Sequence, residues 1–92
     1  MTAFVVEVAQ VHHEQRFILE SALDRLRARG PTVRLVQLGG SAQFTVSAGY
    51  EAEAIRSVWR AINDAQCGLL REPVDPNLAA LAISRQQVAC VR

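Results

Sequence analysis

The 92-residue chain contains no lysine, and all ten of its basic residues are arginine. A phosphate loop of the Gly-x-x-x-x-Gly-Lys type is therefore excluded. Guanidinium groups suit the clamping of carboxylate or phosphate, although a preference for arginine codons explains the composition more simply. Nine acidic residues oppose the ten basic ones, leaving a formal net charge of +1. That near-balance excludes a protein held on nucleic acid by a strong overall positive field. Cysteine is scarce, with only Cys67 and Cys90. Two widely spaced thiols exclude a disulfide framework and predict reduced cysteines in a cytoplasmic protein. No apolar run approaches the roughly 18 residues of a membrane-spanning helix. The stretch Ala3 to Val11 is interrupted by Glu7 and follows no basic segment, so it does not read as a secretion signal. Three prolines and five glycines are too few for a linker or low-complexity tract, and a chain this short has room for one core.

What is present is periodicity. Phe4, Val6 and Val8 alternate with Val5, Glu7 and Ala9, which predicts a strand over residues 3–11. Leu19, Ala22, Leu23 and Leu26 then form an apolar stripe opposite Glu20, Asp24, Arg25 and Arg27, predicting a helix over about 13–29. Gly30-Pro31 stops it, with Gly30 suited to a left-handed cap. Residues 32–38 and 42–48 read as two strands of a hairpin about Gly39-Gly40, a turn expected to need positive φ. Ile55, Val58, Trp59 and Ile62 mark a second helix over about 51–66, ended by Gly68. Leu69 and Leu70 suit a short fourth strand. The last twenty residues carry two readings: a helix over about 76–86 started by Asp75-Pro76, or a strand through the apolar run Leu78 to Ile83.

Strand, helix, strand, strand, helix, strand is the order of an α+β, ferredoxin-like βαββαβ sandwich: a four-stranded antiparallel sheet with two helices on one face. The domain spans residues 1–92, with a core at 3–71 and a C-terminal extension at 72–92 that adds a helix or strand. The first two strands are apolar in both phases, and the second sheet face would be a large exposed apolar patch. Val5, Ala9, Val11 and Val36 are the candidate contact surface for a second copy or a larger protein partner. The competing expectation is that Leu78, Leu81 and Ile83 cover that face within one chain.

Chemistry is sparse. His12, His13 and Glu14, where the first strand meets the first helix, are the candidate ligand or metal residues, although adjacent histidines project apart and chelate poorly as a pair. The serines lack a nucleophile-elbow context, no cofactor motif occurs, and Glu51 and Glu53 read as helix-start charges. No catalytic residue is assigned. RNA binding by base stacking needs exposed aromatics on the sheet. Phe4 and Phe44 fall in the core phase, so nucleic acid is not an expected partner. Arg25, Arg27, Arg29 and Arg34 offer a modest cationic patch for an acidic partner.

The run Leu23-Asp-Arg-Leu-Arg-Ala-Arg-Gly30, followed by Val33-Arg-Leu-Val36, resembles the first helix and second strand of ACT regulatory domains, most nearly the short small-subunit type associated with acetolactate synthase. The resemblance extends loosely over residues 3–71. It implies a ferredoxin-like module that pairs side by side and binds amino acids at subunit interfaces. The aspartate and glycine common in the first ACT loop are replaced here by Gln10-Val11-His12-His13-Glu14. Heavy-metal-associated domains of copper chaperones share the topology, but they carry two cysteines in that loop and this chain has none. The expectation is a non-enzymatic regulatory or interaction domain acting by homodimerisation or by binding a larger protein. The alternative is a small-ligand or metal sensor built on the first strand-helix loop.

Overall fold

Strict alternation over the first residues produces β1 (Thr2–Val8), whose Val6 and Val8 are fully buried while Val5 and Glu7 are half-exposed. The computed structural model describes residues 2–69 and 82–91. β1 stops short of residue 11 because the backbone turns at Gln10. With φ of 55°, Gln10 is the one described residue in the left-handed region, a conformation that costs a non-glycine residue about 1–2 kcal/mol. Val11 then donates its N–H to the Gly40 carbonyl at 2.9 Å.

The predicted first helix divides in two. His13–Gln15 is a single 3-10 turn, and α1 runs Arg16–Arg29. The Gln15 side chain reaches back to accept the His12 N–H at 2.9 Å, satisfying one donor that a helix start leaves without a partner. Gly30 closes α1 in an extended conformation, with φ −145°, rather than as a left-handed cap. Its N–H bonds to the Leu26 carbonyl, and Val33 N–H bonds back to the Gly30 carbonyl at 3.1 Å, so β2 begins at Arg34 rather than Thr32.

β2 (Arg34–Leu38) and β3 (Ser41–Ala48) form the hairpin that Gly39-Gly40 predicts. Neither glycine takes a positive φ, which corrects the expected turn geometry. α2 runs Glu51–Leu69, so Gly68 does not end it and Leu69 is helical rather than the start of a strand. An internal glycine costs a helix about 1 kcal/mol relative to alanine, which burial of the stripe containing Val58, Ile62 and Ala65 can outweigh.

The fourth strand lies elsewhere. β4 (Val88–Cys90) pairs antiparallel with β1, placing Cys90 opposite Val6 and Val88 opposite Val8. The sheet is antiparallel throughout, in the order β2-β3-β1-β4, an order compatible with a ferredoxin-like arrangement. A helix over 76–86 is not seen in its described part: residues 82–84 have no regular structure and Arg85–Gln87 is a 3-10 turn. Residues 76–81 lie outside the described residues, as does most of the apolar run Leu78 to Ile83. Both helices and one sheet face enclose a single core, in which Phe44, Ile18, Leu19 and Ile62 are the largest fully buried side chains.

Candidate functional site

The sheet face away from the core is laid out by register. One row across it holds Val5, Thr45 and Arg34, and the next holds Ala89, Glu7, Gln43 and Val36. Leu38 lies beyond, opposite Ser41. Val91 extends the first row, its N–H bonded to the Val5 carbonyl at 2.9 Å. Val36, Leu38 and Val91 are 44–52% exposed, which places three of the five large exposed apolar side chains described on this one face. The centre is polar: Gln43 donates from Nε2 to the Glu7 carboxylate at 3.4 Å. Apolar margins, a polar centre, one arginine and one glutamate make up the surface.

The four residues assigned to contact by sequence are placed differently from one another. Val5 lies half-buried and Val36 exposed on this face. Ala9 follows the end of β1, its N–H bonded to the Gln87 carbonyl at 2.8 Å. Val11 packs against the core. Leu38 and Val91 are not among those four, although alternation along the second strand already puts Leu38 on the same side as Val36. For Val91 there was no such signal, because its place depends on β4 lying beside β1.

Ile83 does not cover this face. It is buried in the core between sheet and helices, its N–H bonded to Gln66 Oε1 and its carbonyl accepting from Gln66 Nε2 at 3.2 Å. Leu78 and Leu81, the other two residues expected to cover the face, lie outside the described residues.

The loop cluster is open to solvent. His12, His13 and Glu14 are all exposed, and the one contact between them is His13 Nε2 to Glu14 Oε1 at 3.6 Å. Among the described residues no three histidine, cysteine or acidic side chains gather as a metal site. Neither Cys67 nor Cys90 is in a disulfide. The aromatics do not form a stacking surface on the open face: Phe44 is buried, while Phe4 and Trp59 pack against the core. No described helix is long and apolar enough to cross a membrane.

No family model, curated protein or solved structure matches the chain. The functional reading therefore stands on this geometry.

Proposed function

We propose that the protein is a ferredoxin-like interaction domain that acts by associating with a second copy of itself through the open sheet face. The observation that carries this reading is that Val36, Leu38 and Val91 stand exposed at the two margins of a face that also holds one charge of each sign, Glu7 on the central strand β1 and Arg34 on the edge strand β2. A twofold axis over such a face pairs each apolar margin with its counterpart or its opposite. With the axis midway between Arg34 and Glu7, each copy's Arg34 meets the Glu7 of the other, so the surface is complementary to itself in charge. A partner of one charge sign would leave either Arg34 or Glu7 opposed by its own sign.

The size of the face sets the strength. Strands of seven, five, eight and three residues, about 4.8 Å apart with a rise of about 3.3 Å per residue, project an area on the order of 350 Å². A standard interface removes about 800 Å² of accessible surface from each partner. The dimer therefore uses the whole face with its rims and is of the weaker, concentration-dependent class. The βαββαβ order, the strand order β2-β3-β1-β4 and the resemblance of residues 23–36 to ACT domains support a regulatory role for such a pair. The absence of a bond between Cys67 and Cys90 supports a cytoplasmic setting.

Sedimentation velocity over about 1–300 µM tests the reading, since weak pairs of this class dissociate in the micromolar range. Mass should rise from monomer to dimer with concentration. Val36→Asp, at an exposed position, should hold the protein monomeric while its circular dichroism is unchanged. A monomer throughout the range, or a dimer indifferent to both Val36→Asp and Leu38→Asp, overturns it.

A further inference from the structure

Where α1 hands over to β2, the core is least completely covered. Among the described buried apolar residues, only Leu26, Val33, Val46 and Ala61 keep more than 2% of their surface, between 4% and 8%. All four line one cleft of about 480 Å³. That volume lies in the usual range of small-molecule sites, about 300–1,000 Å³. The rim is cationic: Arg25 and Arg29 stand on α1 and Arg60 on α2, with Ser57 and Asp64 beside them. A smaller recess shares Arg29, Ser57 and Arg60 and continues to Arg56 and Glu53. Four guanidinium groups thus face two carboxylates in a chain whose formal net charge is +1.

Structural duties account for only part of this cluster: Arg29 lies in the last turn of α1, where the helix dipole favours a cation, but the grouping of four has no such explanation. Arg25 with Arg29, and Arg56 with Arg60, are each four residues apart on one helix, a like-charge spacing that lowers helix stability. Arg56 and Arg60 lie inside α2, away from the C-terminal turn where the helix dipole favours a cation. Among the described residues neither Asp64 nor Glu53 makes an ion pair within 4 Å, so neither neutralises the cluster at contact distance. Glu53 instead lies over Gly49, where an added Cβ would come within 3.2 Å of its Oε2. Arg27 shows the contrast. Its Nε donates to the Val33 carbonyl at 3.1 Å, and it does not line the cleft.

We propose that this cleft binds a small organic anion that combines an oxyanion head, carboxylate or phosphate, with an apolar body. The body covers the floor of Leu26, Val33, Val46 and Ala61. The head takes charge-assisted hydrogen bonds from Arg25, Arg29 and Arg60 and relieves their mutual repulsion. A neutral hydrocarbon would leave the rim unsatisfied, and a bare inorganic ion would leave the floor wet. None of Val5, Val36, Leu38 and Val91 lines the cleft, so the site is independent of self-association.

The test is a titration of the 15N-labelled protein with octanoate, phenyl phosphate, inorganic phosphate and sodium chloride at matched ionic strength. Octanoate or phenyl phosphate should saturate, with shifts centred on Leu26, Arg29, Val33, Val46 and Ala61, and the probe that saturates identifies the head. Inorganic phosphate should bind about tenfold more weakly, for want of the apolar body. R29Q/R60Q should weaken the better probe by about tenfold or more with its circular dichroism unchanged. R60Q alone gives the same reading at a single exposed position. Shifts that do not saturate, that sodium chloride reproduces, or that survive both R60Q and R29Q/R60Q overturn the proposal.

Discussion

The side-chain amide of Gln66 grips the backbone of Ile83 at both ends, its Nε2 donating to the carbonyl and its Oε1 accepting the N–H. Gln66 is 7% exposed and Ile83 2%, so this clasp is made out of water. It joins α2 to the segment that leads into β4. Gln66→Leu keeps the volume but leaves a buried N–H and a buried carbonyl without partners. Each such group costs about 1–3 kcal/mol, and the variant should lose about 2–4 kcal/mol in urea unfolding. Loss below about 0.5 kcal/mol would show that the clasp is not formed in solution.

Gly68 should be replaceable. It lies inside α2 without a positive φ, and an added Cβ would meet Arg25 Nη2 at 3.3 Å. That neighbour is the far end of an exposed arginine and can shift by a few tenths of an ångström. Gly68→Ala should therefore raise stability by about 0.5–1 kcal/mol through the lower backbone entropy of the unfolded chain. A lower melting temperature would mean that Arg25 is held in place against Gly68.

The two thiols should differ in reactivity. Cys67 is exposed on α2, whereas Cys90 is half-buried in β4 with its Sγ 3.9 Å from the Glu51 carbonyl oxygen. Access governs which thiol an alkylating reagent reaches first. Iodoacetamide followed by peptide mass mapping should label Cys67 first and Cys90 only as urea opens the sheet. Equal rates in native buffer would contradict the pairing of β4 with β1.

The elements legible in the sequence are those whose own residues carry a period. α1, α2 and the hairpin follow from stripes and alternation, and the buried phase of β1 and β3 follows with them. β4 was not legible. Three residues, Val-Ala-Cys, carry no pattern, and their strand conformation comes from pairing with β1. Leu69 and Leu70 looked like that strand because Gly68 looked like a stop, although the burial of α2 carries the helix past it. Val5 and Val36 could be placed on the open face by alternation alone. The arginine cleft was half visible: Arg25 and Arg29 were grouped with Arg27 and Arg34, which the fold sends elsewhere. Their true companions, Arg56 and Arg60, lie on another helix, and sequence gives no distance between two helices.

The position of β4 also sets an order of events. Gln87 bonds to the Ala9 carbonyl across 78 residues of sequence, and β1 receives its second neighbour only when Val88–Cys90 arrives. Closing so long a loop comes late and slowly. As the chain emerges from a ribosome, β1 and β3 can pair early while the outer edge of β1 waits with its N–H and carbonyl groups bare. Such an edge is a template for foreign strands. The interval before the last strand docks is thus the time when the nascent chain is most exposed to aggregation and most in need of a chaperone.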